Sequence, residues 1–229
     1  MKKMNQGVLL EVTDQERVAF YRKTYIHVAL AVLAFVGIEY ILLQIEPLVN
    51  FMLSLTEGYL WLLLLGGFWL ASTFATNMSF KLDKTSQYMG LLFYVIAEAL
   101  IFVPVLYIAV NFSSPAVLNQ AASLTAFLFI GLSAVAMFSK KDFSFLRSIL
   151  TVGFFIALGL IVVGLLFGFN LGLWFSVGMI LLAAGSILYQ TSQLKYQYET
   201  SQYVGAAVGL FAALMTMFWY VLRIFMSRD

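Results

Sequence analysis

The sequence predicts an all-α integral membrane protein, a bundle of seven transmembrane helices, and three observations carry that expectation. Only 10% of the 229 residues are charged while 62% are hydrophobic, against the roughly 25% charged of soluble globular domains. The apolar residues arrive in repeated blocks of about twenty, the length that crosses hydrocarbon as a helix. The basic residues fall almost entirely on one side once seven spans alternate, as short cytosolic loops require. Nearly the whole chain is used by these blocks, so residues 1–229 read as one polytopic membrane domain, with 1–23 a short cytosolic N-terminal segment.

The first segment, 1–23, mixes Lys2, Lys3, Glu11, Asp14, Glu16, Arg17, Arg22 and Lys23 before a full-length apolar run. That pattern reads as a retained signal anchor, because the run is too long for a signal-peptide core and shows no small-residue cleavage site. The spans are placed at 24–45, 59–78, 88–110, 116–137, 145–167, 170–189 and 203–226. Within them apolar residues surround the helix instead of forming one stripe, which favours lipid-immersed helices. Barrel strands would alternate polar and apolar. The fifth and sixth spans are separated by so few residues that they form a tight antiparallel hairpin, and no linker divides the chain.

Lys2, Lys3, Arg17, Arg22, Lys23, Lys81, Lys84, Lys140, Lys141, Arg147 and Lys195 share one side, and only Arg223 and Arg228 fall opposite. The expected topology is therefore a cytosolic N-terminus and an external C-terminus in the cell (inner) membrane, unless the last segment is a re-entrant hairpin. The net charge of +2 is too small and scattered for a nucleic-acid partner. Without cysteine there is no disulfide, thiolate nucleophile or thiolate metal site.

Pro104 inside the third span removes one backbone donor and predicts a kink or locally opened backbone. Gly153, Gly164, Gly185, Gly205 and Gly209 allow close helix approach, within the chain or between two copies, and Gly205 with Gly209 has small-xxx-small spacing. Glu98, near mid-span in Tyr94-Val95-Ile96-Ala97-Glu98, is the most informative residue, since ionisable groups within spans are costly and often functional. It is either a neutral acid hydrogen-bonded in the bundle or a proton or cation site facing water. Glu39, nearer the external end of the first span, is expected to snorkel toward water. His27, the one histidine, excludes bis-histidine haem and multi-histidine zinc within the chain. Tyr25, Tyr59, Trp61, Tyr88, Trp174, Tyr189 and Tyr203 read as interfacial anchors. No phosphate loop, nucleophile elbow or HExxH motif is present, and no cofactor, metal or enzyme activity is expected.

The segment Leu188-Tyr189-Gln190-Thr191-Ser192, then Leu210-Phe211-Ala212-Ala213 and Phe218 to Leu222-Arg223, resembles the ending of the Bax inhibitor-1 family. Thr24-Tyr25 and Lys141-Asp142-Phe143-Ser144-Phe145-Leu146 add to the resemblance. It implies seven helices, six around a central and more polar seventh. Some members are pH-sensitive calcium leak channels, and a bacterial branch restrains an ATP-dependent membrane protease. In the leak channels, two aspartates in the sixth and seventh helices share a proton. Here those positions are Gln190 and Ala213, the accompanying asparagine is Thr216, and the second span has no arginine. Glutamine does not titrate and alanine offers no oxygen, so the family's diaspartyl sensor is absent. A remaining ion path would use Glu98 or Glu39, with Asn77, Gln120 or Gln190 as neutral ligands. Two functions follow as expectations: an interaction partner or modulator of another membrane complex, such as a quality-control protease, or a calcium or proton leak through Glu98.

Overall fold

A computed structural model describes residues 13–228. Among them the elements are α1 (Asp14–Leu42), α2 (Glu46–Ser54), α3 (Leu60–Ser79), α4 (Lys84–Phe112), α5 (Pro115–Phe138), α6 (Leu146–Phe167), α7 (Gly172–Tyr196), a short 3-10 turn (Thr200–Gln202) and α8 (Tyr203–Met226). All but α2 and the turn are long and apolar enough to cross a membrane. The last segment is one uninterrupted helix of 24 residues, about 36 Å at 1.5 Å per residue, so the re-entrant alternative does not hold.

Local chemistry sets the element ends. Thr13 caps α1 by a reciprocal box: its hydroxyl accepts from the Glu16 amide at 3.3 Å, and the Glu16 carboxylate accepts from the Thr13 amide at 2.9 Å. Residues 14–23 therefore prolong the first span as helix, while 1–12 lie outside the described residues. Asp83 caps α4 by accepting from the Ser86 amide at 2.7 Å, which holds its carboxyl below the usual range. Gly168 ends α6 in the left-handed region at φ 70°, where only glycine enters freely, and the chain turns at once into α7. Helix α4 continues through Pro104, whose missing N–H leaves the Leu100 carbonyl without its usual donor.

Helix α8 occupies the centre. Its Val204, Val208, Leu210, Phe211, Met217 and Leu222 are at most 1% exposed. Helices α1, α3, α4, α5 and α7 pack against it, and α6 is held to the bundle through α7. The centre is apolar, unlike the more polar seventh helix that the resemblance implies. Phe102 of α4 anchors it: its ring meets Trp219 edge-on at 4.8 Å and Phe35 edge-on at 5.2 Å, and stacks on Phe218 at 5.9 Å. Helix α2 lays Val49 and Met52, one helical face, over Val103.

Four glycines permit close crossings, Gly153 of α6 against Leu182 of α7 among them. A Cβ on Gly90 would stand 2.5 Å from the Ser79 nitrogen and 2.6 Å from the Ala75 carbonyl oxygen, so α3 and α4 touch backbone to backbone. Gly205 lies under the Phe80 ring and Gly209 under the Gln190 amide, at 2.6 and 2.8 Å from the Cβ each lacks. Gly205 and Gly209 thus serve packing within the chain.

Helices alternate in direction, so Lys23, Lys81, Lys84, Lys140, Lys141, Arg147 and Lys195 gather at one end, here the basic end.

Candidate functional site

Glu98 is buried in α4 at 5% exposure, and its Oε2 has no hydrogen-bond partner. Tyr94, Val95, Ala99 and Phe102 on the same helix are buried with it. A carboxylate so placed pays the full loss of hydration unless a proton or cation joins it. Neither of two surface cavities, about 270 and 450 Å³, is lined by Glu98 or Glu39.

Glu39 does not snorkel. It is 4% exposed, and both its carboxylate oxygens are buried without a partner. The reason lies in spacing: Phe20, Thr24, Val28, Ala31, Phe35 and Glu39 recur every three to four residues and form the buried stripe of α1. Helices α1 and α4 run parallel, with His27 beside Tyr88 and Phe35 against Phe102. Glu39 stands one turn beyond Phe35 and Glu98 one turn before Phe102. The acids therefore flank that ring pair, about eight residues or ~12 Å apart along the axis.

The substituted sensor positions are closed by packing. The Gln190 Oε1 accepts from the Tyr198 hydroxyl at 3.2 Å, and its amide rests on Gly209. Burial pushes the Tyr198 hydroxyl up to about 12, so Tyr198 stays a donor. Its ring stacks on Phe80 at 5.6 Å, and Phe80 in turn covers Gly205. Ala213 is buried one turn beyond Gly209. Thr216 returns its hydroxyl to the Ala212 carbonyl at 2.9 Å. Asn77 and Gln120 are exposed and take no part in the interior. On α3 the buried positions are Ala75 and Ser79, two residues either side of Asn77, which places Asn77 on the opposite face; Gln120 sits one residue off the Val117, Ala121, Thr125 stripe of α5.

At the basic end the polar residues are tied together. The loop before α6 is clasped to α7: Ser192 Oγ donates to Asp142 Oδ1 at 3.0 Å and accepts from the Phe143 amide at 3.0 Å, while Gln193 donates to Ser144 Oγ at 3.1 Å. The Ser144 side chain and amide hold the Asp142 carboxyl below its usual range. These partners let α7 run to Tyr196, beyond the predicted end at 189. His27 Nδ1 donates to the Lys23 carbonyl at 2.7 Å, and its Nε2 pairs with the Tyr88 hydroxyl at 3.3 Å. Tyr88 also pairs with Tyr203 at 3.2 Å, and Lys84 Nζ lies 4.2 Å from the Tyr203 ring centre. Sequence reading placed these rings at the interface; their mutual contacts become visible only in the fold.

A central apolar helix, six further spans and two unpartnered buried acids define a multi-pass integral membrane protein with acidic groups inside its bundle. Residues 17–229 match the family described as Inhibitor of apoptosis-promoting Bax1, and the chain belongs to it. A protein of Pseudomonas aeruginosa is 38% identical over 110 residues, 48% of this chain and 49% of its own length. The protein named Modulator of FtsH protease YccA, of Escherichia coli K12, is 34% identical over 116 residues, 49% of this chain and 52% of its own. In both, the match spans about half the relative's length. Protein LIFEGUARD 4 of Arabidopsis thaliana is 25% identical over 227 residues, covering 93% of this chain and 86% of that protein.

Proposed function

We propose that this chain acts in the inner membrane as a partner of another membrane complex, with an ATP-dependent membrane protease of the FtsH kind as the first candidate. The reading assigns it no catalysis. It sets the basic end in the cytosol, as the lysine distribution favours. The observation that carries it is Gln190: where leak-channel relatives place a titrating acid, this chain has an amide fixed by Tyr198 and seated on Gly209. The relative named for modulating FtsH adds support. Residues 1–12 precede the Thr13 cap and are the obvious handle for a cytosolic partner. The test is copurification from native membranes in mild detergent, comparing the full chain with a variant lacking residues 1–12. Deletion stops there because Phe20 is buried in the bundle. Recovery of the protease with the full chain, weakened by the deletion, is expected; a monomer without partner under crosslinking overturns the reading.

A second reading, a proton or calcium leak, is favoured by the unpartnered carboxylates of Glu98 and Glu39. Protein in liposomes should then pass protons or calcium, and Glu98→Gln should abolish the flux. Flux unchanged by that substitution rejects it.

A further inference from the structure

We propose that the end of the bundle opposite the lysines carries a phosphate-binding site between the start of α7 and the end of α8. There a cavity of about 270 Å³ is lined by Asn170, Gly172, Ser176, Arg223 and Ser227 among others, none of them acidic. That is below the roughly 300–1,000 Å³ of pockets for drug-sized ligands, and suits a headgroup or small oxyanion.

Four features converge on this cavity. Helix α7, 25 residues long, begins at it, and its N-cap Leu171 offers no side-chain hydrogen bond. The Gly172 amide donates to Asn170 Oδ1 at 2.9 Å; the following amides of the first turn have no side-chain cap, and such donors with the positive end of a helix favour an anion. Ser176, one turn further on, is 3% exposed and lines the cavity. Some helical hydroxyls of this chain return to the carbonyl four residues back, as Thr151 does to Arg147 and Thr216 to Ala212, whereas Thr125 and Ser133 in the interior of α5 have no partner and line neither cavity. The Ser176 hydroxyl makes no hydrogen bond among the described residues, although it is nearly enclosed.

Arg223 brings the positive charge. It stands in the last turn of α8, lines the cavity, and has no carboxylate partner among the described residues. Its planar fork matches two phosphate oxygens at once. The carbonyls ending α8 would oppose an anion, but Arg223 O accepts from the Ser227 amide at 3.1 Å and Ile224 O from the Ser227 hydroxyl at 2.8 Å. Their negative ends are thereby engaged within the chain. Leu173 and Met226 complete the lining, an apolar border that accommodates a phosphate carrying acyl chains as well as a free one.

The site is tested on the full-length protein in two arms. In native mass spectrometry, retained phosphatidylglycerol is compared with diacylglycerol, which lacks the phosphate, for the unaltered protein, Arg223→Gln and Ser176→Ala. In a thermal melt, inorganic phosphate is titrated against chloride at matched ionic strength. Preferential retention of phosphatidylglycerol, about tenfold weaker in Arg223→Gln and about threefold weaker in Ser176→Ala, identifies a lipid phosphate. Phosphate-specific stabilisation that Arg223→Gln removes, without lipid preference, identifies a free ion. Equal behaviour of both variants and the unaltered protein, or equal retention of the two lipids with no phosphate effect, overturns the proposal. Arg223 is exposed, so its replacement leaves the core packing in place.

Discussion

Replacing Gly90 by alanine puts one methyl group into a crossing where backbone meets backbone. The new Cβ would meet the Ser79 nitrogen at 2.5 Å, the Ala75 carbonyl oxygen at 2.6 Å and the Met78 carbonyl carbon at 3.0 Å. Carbon contacts settle near 3.5–4.0 Å, so α3 and α4 must part by about 1 Å. All three atoms belong to backbone, and no rotamer change relieves them. Overpacking of this kind costs about 1–3 kcal/mol, and rigid neighbours place Gly90 at the upper end. Alanine's better helix propensity returns about 1 kcal/mol, so the net loss is about 2 kcal/mol. Gly131→Ala, in mid-α5 with nothing within 4 Å of its Cβ, isolates the propensity gain and should be neutral or slightly stabilising. The assay is the unfolding midpoint in a detergent titration of both variants. If Gly90→Ala proves as stable as Gly131→Ala, the backbone contact between α3 and α4 is not as close as described, and the reasoning fails.

Two other outcomes are expected. The Asp142 carboxyl is held below its usual range by Ser144 and Ser192, so its clasp contributes stability above the ordinary carboxylate range and loses it as pH falls through the depressed value. Asp142→Asn should flatten that acid limb in a pH series of thermal melts, and an unaltered limb counts against the clasp. Thr13→Ala removes the α1 capping box at a cost of about 1 kcal/mol, read as faster amide hydrogen exchange in the first turn of α1 with protection at Val28 and Phe35 unchanged. Exchange that stays slow at Glu16 shows that the cap is not formed.

The spans were legible because hydrocarbon thickness imposes a run length that any bilayer-crossing helix must meet, and 203–226 is found where it was predicted. The polar run Gln190-Thr191-Ser192-Gln193 hid the true end of α7, since its side chains look like loop chemistry until Asp142, Ser144 and Tyr198 are seen to bond them. Helix α2 went unread because nine residues are too few for a span, and its signal is only the pair Val49 and Met52 facing Val103. Gly90 was missed for a similar reason: a lone glycine carries no spacing pattern, and the helix it touches lies in another span. Glu98 is buried, as its place near mid-span implies. Glu39 was misjudged by its nearness to the external end, although its place four residues after Phe35 held the answer. Asn77 and Gln120 show the converse, polar residues in spans whose helical phase turns them outward.

Helix α6 packs mainly on α7, and most of its circumference is left uncovered by the rest of the bundle. Its 22 residues measure about 33 Å, close to the thickness of the hydrocarbon layer. Along most of Leu146–Phe167 the sequence answers to greasiness alone, and exchanges among leucine, isoleucine, valine and phenylalanine leave the architecture as it is. The exceptions are Gly153 against Leu182, the buried Ala157, and Gly164 beneath Phe169 and Leu171. Drift in this helix should therefore be wide in identity and narrow in length.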